Sequence, residues 1–434
     1  MKVDVLLGLQ WGDEGKGKIV DILSPRYDII ARFQGGPNAG HTIKFDNKKF
    51  ILHTIPSGIF NQDKLNLVGN GVILDPQILM SEISGLEKSG INARSNLLIS
   101  RKAHLILPTH RLLDAAQEKM LGKEKIGSTL KGIGPSYTDK ISRKGLRIGD
   151  ICSTNFKNRY RKLKEYHLGL VKYHNYNTDD FLIDGLNFDE YEENWLQAAD
   201  KVKSLNIIDS EYFINQKLDK GAKVLAEGAQ GTMLDIDFGS YPFVTSSNTI
   251  TGGVCSGLGI SPKRIGRIMG VFKAYCTRVG SGPFPTELLN GEGDTMREAG
   301  QEFGSTTGRP RRCGWLDLVA LKYAIMLNGV EEMFMMKTDV LDNFDKISVG
   351  IAYRQEGVTM EQLPFDLQEG EYEPLLRDFS GWKHPLADSF GNNEMPGALD
   401  GFINFIEEKT GVPVPLISFG PDRAQVFKNQ NIKG

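Results

Sequence analysis

Short apolar runs recur along the chain, and most of them lead into a glycine-rich turn. Runs with the length and composition of buried β-strands span residues 3–9, 29–33, 65–68, 224–226, 268–272, 333–336 and 416–419. Helical spacing of apolar residues lies between them, for example over 191–205 and over 399–409, where Gly411 and Pro413 stop the pattern. This alternation predicts an α/β fold with a largely parallel central sheet flanked by helices. Ligands of such sheets bind at the carboxyl ends of the strands.

The composition is that of an ordinary globular protein. The 434 residues are 40% apolar and 24% charged, with a formal net charge of -2. That balance provides no overall field to attract nucleic acid or an anionic membrane, so neither is an expected partner. No apolar stretch reaches the roughly 18 residues of a membrane helix. We find no repeat or linker that divides the chain, and we expect a single domain over residues 1–434 with insertions.

Cysteine and histidine usage fits a cytoplasmic protein. The four cysteines lie far apart with no CxxC pair, and the seven histidines form no HExxH motif or similar ligand cluster. The N-terminal residues fit neither a signal peptide nor a transit peptide. We therefore expect free thiols and a location in the reducing cytoplasm.

The first strand leads into a phosphate-binding loop with an unusual feature. In GLQWGDEGKGKIVDIL, the GxxxxGK part is supplied by Gly12, Gly17 and Lys18. Ile19 occupies the place of the Ser or Thr that ordinarily binds Mg²⁺. Asp13 lies inside the loop, where a carboxylate repels a triphosphate unless a metal bridges them or the carboxylate takes a proton from a second substrate. Asp13 is a candidate for both roles, and the alternative is a turn that merely joins strand to helix.

The second strand ends in FQGGPNAGHT, residues 33–42, whose glycines let the backbone approach a ligand closely. Polar side chains in this loop include Gln34, Asn38, His41 and Thr42. His41 is a candidate general acid or electrostatic stabiliser, whereas the alternative is an ordinary hydrogen-bonded loop histidine.

The strand over 333–336 leads into Lys337, Thr338 and Asp339, a KxD arrangement similar to the guanine-binding loop of GTP-binding proteins. A carboxylate only accepts hydrogen bonds, so it suits the ring N–H and exocyclic amine of guanine and not adenine. The lysine stem can lie over the base. By itself this motif could be a surface charge pair, but after a phosphate loop it favours GTP.

Further polar segments indicate sites for other substrates. In GSTTGRPRRCGW, residues 304–315, hydroxyls precede Arg309, Arg311 and Arg312, which suits a carboxylate or phosphate because Arg offers a planar bidentate fork. Residues 127–143 are basic and hydroxylated, as a monophosphate site would be. Gln230 and Thr245 could contact a base edge or a phosphate, and the spacing does not decide between them.

Nine motifs together closely resemble the adenylosuccinate synthetase family from Gly8 to Arg423. They are WGDEGKGK, GGPNAGHT, GPSYTDK, EGAQGTMLDID, YPFVTSSNT, TRVGSGPFPTE, STTGRPRR, KTDVLD and FGPDR, in this order. The resemblance implies a phosphate-loop NTPase-related fold, a homodimer and a Mg²⁺-dependent ligase. GTP would phosphorylate the 6-oxygen of IMP, and the amine of L-aspartate would displace that phosphate. Pro310 departs from the arginine expected there and removes a charge and a backbone donor.

The resemblance also implies roles for individual residues. Asp13 is similar to the general base and, with the Gly40 backbone, to a Mg²⁺ ligand, while His41 is similar to the acid. The implied GTP-binding residues are Gly12, Asp13, Glu14, Gly15, Lys16, Gly17, Lys18, Gly40, His41, Thr42, Arg311, Lys337, Thr338, Asp339, Ser418, Phe419 and Gly420. Those for IMP are Asp13, Asn38, Thr129, Gln230, Thr245 and Arg309, with Arg143 from the second subunit. Those for aspartate are Val279, Ser305, Thr306, Thr307, Gly308, Arg309 and Arg311.

Two other classes of protein share a phosphate loop. A GTPase switch would carry a Mg²⁺-binding hydroxyl at position 19 and would need no base in the loop, so Ile19 and Asp13 argue against it. A phosphate-loop kinase would release a stable phosphorylated product. Aspartate distinguishes them, because only the ligase needs all three substrates to form GDP, phosphate and adenylosuccinate.

Overall fold

A computed structural model describes residues 1–38, 40–45, 48–122, 125–304, 308–392 and 394–429. The strands are β1 (Val3–Gly8), β2 (Ile29–Arg32), β3 (His41–Phe45), β4 (Lys48–Leu52), β5 (Leu65–Val68), β6 (Ile73–Leu74), β7 (Leu97–Ser100), β8 (His104–Leu105), β9 (Asn206–Ile208), β10 (Val224–Glu227), β11 (Ile265–Lys273), β12 (Tyr275–Arg278), β13 (Arg312–Asp317), β14 (Glu332–Met336), β15 (Lys346–Gln355), β16 (Val358–Met360), β17 (Glu373–Ser380), β18 (Leu416–Ser418) and β19 (Val426–Lys428).

The helices alternate with these strands over most of the chain. They are α1 (Lys16–Leu23), α2 (Pro76–Lys88), α3 (Ala93–Asn96), α4 (Pro108–Leu121), α5 (Ile133–Ser142), α6 (Phe156–Tyr173), α7 (Phe188–Val202), α8 (Ser210–Asp219), α9 (Thr251–Leu258), α10 (Gly291–Ala299), α11 (Leu318–Asn328), α12 (Leu386–Gly391) and α13 (Gly397–Thr410). In the part of the chain described, no helix is both long enough and apolar enough to cross a membrane.

Ten strands form the central sheet, in the order β19-β18-β14-β11-β1-β10-β2-β5-β7-β9. All neighbours in this order are parallel except β18 and β19, which are antiparallel. This confirms the predicted α/β class with a largely parallel sheet. All seven predicted strands are present, and their ends differ from the prediction by at most three residues.

The central strands are apolar on both faces because helices cover both sides of the sheet. Val3, Val5 and Leu7 of β1 pack in one core cluster, whereas Leu6 packs in another with residues of α1. The alternation of side chains along the strand thus divides β1 between two cores. A continuous apolar run is the sequence signature of this arrangement.

A smaller sheet lies beyond the central one and was not predicted. It contains β12, β13, β15 and β16 in that order, with β17 paired to β15. The polar and exposed positions of β16 and β17 gave no continuous apolar run. The predicted extent of one domain over the whole chain stays a prediction.

Candidate active site

The phosphate loop joins β1 to α1, and its own carboxylate holds it in shape. Glu14 is fully buried, and its Oε1 accepts hydrogen bonds from the N–H groups of Gln10 at 3.1 Å and Gly12 at 2.9 Å. Its Oε2 lies 2.5 Å from Nζ of buried Lys16. A Cβ on Gly8 would overlap this carboxylate, so the close approach requires glycine there. The Glu14 side chain faces inwards, and any contact of this residue with GTP comes from its backbone.

Lys18 connects the loop to the far side of the site. Its Nζ donates to Ser418 Oγ at 2.8 Å and to the carbonyls of Gly420 and Gln425, both at 2.9 Å. Burial lowers the pKa of Lys18 to about 8, an effect that the nearby Asp339 charge opposes. The loop lysine therefore brings a positive charge between the phosphate loop and the predicted base site.

Asp13 is the carboxylate of the loop that faces outwards. It has a left-handed backbone with φ 59°, and its side chain is 33% exposed. Its Oδ2 lies 2.8 Å from Nε of Arg311, so a residue predicted for GTP and aspartate lies beside the predicted base. Ile19, in contrast, is 1% exposed and belongs to the core. The position that ordinarily supplies a hydroxyl to Mg²⁺ is therefore unavailable.

His41 lies against the phosphate loop and is oriented by a carboxylate. Its Cβ is 3.0 Å from where a Cβ on Gly17 would lie. Nδ1 lies 2.6 Å from Oε1 of Glu227 and 3.3 Å from Oγ of Ser57. Nε2 is buried and has no hydrogen-bond partner among the described residues. Burial lowers the pKa of His41 and Glu227 opposes this, so the neutral ring keeps its proton on Nδ1 and leaves Nε2 for a ligand.

The predicted base-binding segments adjoin one another. The hydroxyl of Thr338 donates to the carbonyl of Ser418 at 2.8 Å. Oδ1 of Asp339 is buried without a hydrogen-bond donor in the described part of the chain, and burial raises the pKa of this carboxyl. An unpaired buried acceptor is costly, and the N–H donors of guanine would satisfy it. Nζ of Lys337 lies 2.7 Å from Oε1 of Glu302, which leaves its aliphatic stem for the base.

Two of the residues predicted for IMP meet although 192 positions separate them. Nε2 of Gln230 donates to Oδ1 of Asn38 at 3.3 Å. Oε1 of Gln230 is buried without a donor among the described residues, and its backbone is left-handed with φ 57°. Thr245 is half-buried and its N–H donates to the carbonyl of Leu234 at 2.9 Å. The amide pair therefore offers donors and acceptors to a second ligand.

Three loops that were predicted to bind IMP or aspartate converge. Nη1 of Arg309 lies 3.4 Å from the carbonyl of Gly127, two residues before Thr129. A Cβ on Gly280, next to Val279, would lie 3.3 Å from the carbonyl of residue 126. Val279 is 38% exposed. These contacts bring the chain segments around residues 127, 280 and 309 to one place.

Part of the aspartate prediction falls outside the described residues. Ser305, Thr306 and Thr307 lie there, so their contacts stay predictions. Gly308 has a left-handed φ of 65°. Across the gap, Gly304 N–H donates to the carbonyl of Arg309 at 2.8 Å, which closes the base of the loop.

Arg143 lies apart from the other residues predicted for IMP. It is exposed, caps the end of α5 with φ 65°, and borders a cavity of about 230 Å³. The cavity is lined by His104, Lys140, Arg143, Gly145, Arg147, Asp150 and Arg159. The structure therefore groups Arg143 with a basic surface and not with Asn38 or Gln230.

Sequence reasoning missed two carboxylates of the site. Glu227 was not among the predicted site residues, although a charged residue directly after the apolar run 224–226 is a signal that could have indicated it. Glu302 is fully buried and lies within 3.2 Å of Lys273, 2.7 Å of Arg311 and 2.7 Å of Lys337. We find no local pattern that singles out Glu302, because two of its partners, Lys273 and Lys337, lie 29 and 35 residues away along the chain.

The sequence indicated no histidine cluster, but folding creates one. His110, Asp139 and His167 lie together and are buried, with Asp139 Oδ2 at 3.1 Å and 3.0 Å from Nε2 of the two histidines. Nδ1 of His110 accepts the N–H of Leu107 at 2.9 Å, which places the ring proton on Nε2. That proton faces Asp139, so Nε2 of His110 has no free lone pair for a metal, and the hydrogen bonds of the group connect α4, α5 and α6.

Comparison with known proteins identifies the family. The adenylosuccinate synthetase family profile matches residues 5–427. Adenylosuccinate synthetase of Bacteroides thetaiotaomicron is 54% identical over 428 residues, covering 99% of each chain. The Flavobacterium johnsoniae enzyme of the same name is 54% identical over 427 residues, covering 98% of this chain and 100% of its own. The chain belongs to the adenylosuccinate synthetase family.

Solved structures agree with this result. The fully ligated adenylosuccinate synthetase of Plasmodium falciparum superposes with a TM-score of 0.87 at 40% identity, over 99% of this chain and 100% of its own. A succinoaminodeoxyadenylate synthetase of cyanophage S-2L shares the fold, with a TM-score of 0.63 at 20% identity over 98% and 95% of the two chains. The enzyme catalyses the GTP-dependent ligation of IMP and aspartate in AMP synthesis, so the GTPase-switch and kinase alternatives are wrong.

Proposed function

We propose that the ligation proceeds through 6-phosphoryl-IMP, with Asp13 as general base and His41 as general acid. Asp13 takes the N1 proton of IMP while the 6-oxygen attacks the γ-phosphorus of GTP and the bond to the β,γ-bridging oxygen breaks. The amine of aspartate then attacks C6, the C6–O bond breaks to release phosphate, and the proton lost by the amine passes to solvent. Phosphorylation is needed because an oxo group is a poor leaving group.

The observation that carries this proposal is the oriented histidine beside the phosphate loop. His41 lies against Gly17, with Nδ1 on Glu227 at 2.6 Å and Nε2 buried without a partner in the described part of the chain. A phosphate anion at Nε2 offsets the burial that lowers the pKa of His41 and favours the imidazolium. The imidazolium can then donate to the departing oxygen of GDP.

Asp13 has the features that a base in this position requires. Its left-handed backbone turns the carboxylate out of the loop, and one oxygen stays close to Arg311 at 2.8 Å. The charge-assisted contact holds the carboxylate in this outward orientation. Arg311 is also able to contact the negative charge of GTP or aspartate, in accordance with its predicted roles.

The oxygen donors of the loop fit Mg²⁺. The carboxylate of Asp13 is one-third exposed, and the backbone carbonyl of Gly40 comes from the neighbouring loop. Both are hard oxygen ligands of the kind that Mg²⁺ prefers. Ile19 is buried and has no hydroxyl, so it cannot supply the ligand that usually comes from this position of a phosphate loop. A bound Mg²⁺ would neutralise charge on the phosphate oxygens.

The polar side chains that converge here support a site for each of the three substrates. GTP lies along the phosphate loop with guanine on Asp339, whose buried Oδ1 has no donor among the described residues. IMP is recognised by Asn38 and Gln230, and Thr129, Thr245 and Arg309 surround it. L-aspartate binds at the loop of residues 304–311 beside Val279, where Arg309 and Arg311 supply positive charge.

We propose further that the enzyme is a cytoplasmic homodimer and that residues 1–434 work as one unit. Exposed Arg143, and Ile141 with 78% of its side chain exposed, suit a surface covered by a second copy. Arg143 would then reach the partner's IMP site. All four cysteines are free, as in proteins of a reducing compartment.

An oxygen label tests the reaction path. IMP labelled with ¹⁸O at the 6-position is incubated with GTP, Mg²⁺ and aspartate, and the released phosphate is analysed by mass spectrometry. Each phosphate should carry one ¹⁸O, because the 6-oxygen leaves with the phosphoryl group. If the label appears in water instead, the 6-oxygen does not leave with the phosphoryl group, and the proposed 6-phosphoryl-IMP intermediate is wrong. GDP formation without aspartate would instead indicate a kinase-like first step that is not coupled to ligation.

A further inference from the structure

Arg32 is a fully buried arginine at the end of β2 to which no role has been assigned. Its register partner on the adjacent parallel strand β10 is Glu227, the carboxylate that binds His41. Register partners on parallel strands project from the same face of the sheet, so the two charges share one side. A buried guanidinium is costly without a neighbouring anion, and Glu227 is such an anion.

The chain segment 53–57 wraps around these charges. Nη1 of Arg32 donates to the carbonyl of His53. Glu82 accepts hydrogen bonds from the N–H groups of residues 53–55 at 3.0–3.3 Å. At the other end, Glu227 accepts the N–H of Ser57 at 2.8 Å and its hydroxyl at 2.6 Å. Two carboxylates therefore hold the segment, and the Arg32 cation lies close to both.

The interaction of Arg32 with Glu227 is electrostatic. Its Nε and Nη2 atoms are buried and make no hydrogen bond to any residue that the structure describes. Burial opposes the ionisation of Glu227, but the hydrogen bond and electrostatic attraction to the Nδ1–H group of His41, together with the charge of Arg32, outweigh it and lower its pKa. The other ionisable groups facing this pair are Glu82 and Tyr137 around Arg32, and Lys16 near His41.

We propose that Arg32 is a positioning residue for His41. Its buried charge keeps Glu227 a carboxylate, which can only accept hydrogen bonds. Nδ1 of His41 then carries the proton, and Nε2 stays available for a ligand at the phosphate loop. Without the cation, Glu227 can hold a proton of its own and donate it, and the tautomer of His41 is no longer fixed. The inference rests on the proposed role of His41.

Two substitutions separate charge from hydrogen bonding. Arg32→Gln removes the charge and keeps a donor for the carbonyl of His53, whereas Arg32→Lys keeps the charge. We expect kcat to fall about 10- to 100-fold in Arg32→Gln. This loss is smaller than the loss of about 10²- to 10⁴-fold expected when the general acid itself is removed. In Arg32→Lys, kcat should be close to that of the wild type. KM for GTP and IMP should stay within about twofold, since neither substrate loses a contact. Arg32→Met replaces Arg32→Gln if the buried amide prevents folding.

Controls distinguish this inference from the proposed function. Leu67→Ala, fully buried on β5 in the core cluster on the other face of β2, should lower Tm and leave kcat unchanged. In a His41→Asn background, Arg32→Gln should cause no further loss of kcat, because the residue it positions is gone. If His41→Asn itself keeps normal kcat, the proposed role of His41 is wrong.

Nitrogen-15 NMR of histidine-labelled, ligand-free enzyme gives a readout independent of activity. The signals of His41 are those missing from His41→Asn. At one fixed pH they should show a protonated Nδ1 in the wild type and in Arg32→Lys, and mixed tautomers in Arg32→Gln. An unchanged tautomer with kcat within about twofold of the wild type in Arg32→Gln would overturn the inference.

Discussion

Nε of Arg311 lies 2.8 Å from Oδ2 of Asp13, and Nη1 of the same guanidinium lies 2.7 Å from Oε2 of Glu302. One arginine thus joins the phosphate loop to a buried carboxylate just before residues 304–311, the segment proposed to bind aspartate. Glu302 also accepts a hydrogen bond from Lys337 at 2.7 Å, so it contacts the predicted base-binding segment as well. If the charge of Asp13 is removed, Arg311 therefore still has Glu302 as a partner.

Asp13→Asn should reduce kcat by at least 10²- to 10⁴-fold, because the substitution would remove the proposed general base and the proposed metal ligand together. Tm should change little, since Arg311 keeps Glu302. Steady-state kinetics with all three substrates and a thermal melt provide the measurement. Normal kcat with only a raised KM would show that Asp13 binds a substrate and does not act as the base.

The enzyme should prefer GTP to ATP, and Asp339→Asn should weaken GTP and favour xanthosine triphosphate. Asparagine presents an amide donor where the carboxylate accepted, and each buried group left unpaired costs about 1–3 kcal/mol. kcat/KM for the three nucleotides measures this. Asp342→Asn is the matched control, because that carboxylate binds Trp382 and Leu386 and should leave the nucleotide preference unchanged. Equal use of ATP and GTP by the wild type would contradict the role of Asp339.

Mixed dimers should test whether Arg143 serves the partner's site. Asp13→Ala and Arg143→Leu, each nearly inactive alone, are mixed and allowed to exchange subunits. Half of the dimers then contain one of each, and one of their two sites is intact, so activity should recover to about a quarter of the wild type. If no activity returns after exchange has been verified, Arg143 does not act across an interface.

Asp317 should make the fold less stable as pH rises. Burial raises the pKa of Asp317 from 3.8 to about 6, so the folded state binds the proton more tightly than the unfolded chain. The stabilisation is complete below about pH 4 and is lost as pH rises through about 6, which amounts to about 3 kcal/mol.

Asp317→Asn cannot ionise and keeps the N-cap acceptor of α11. Its free energy of unfolding relative to the wild type should therefore increase by about 3 kcal/mol between pH 4 and pH 8. Urea unfolding at several pH values measures the difference. Parallel pH profiles for the two proteins would show that Asp317 does not titrate as described.

The strands were predictable because their signal is local. A buried parallel strand is a continuous apolar run, and β5 was predicted with the observed ends, Leu65–Val68. Helix α7 was predicted three residues late, because the prediction followed the spacing of apolar residues and not the N-cap residue. Asn187 accepts the N–H of Glu190 and starts the helix at Phe188. Edge strands such as β16 and β17 carry polar residues and gave no comparable pattern.

By itself the sequence determined the class of fold, the phosphate loop, and the residue types gathered at the ends of β1, β2 and β14. These depend on periodicity and turn chemistry within about ten residues. Only the tertiary structure decided which groups meet: His41 with Glu227, Arg311 with Asp13, and Lys18 with Ser418. Partners 186 to 400 residues apart, as in the first and last of these pairs, are set by the order of strands in the sheet. No local pattern encodes that order.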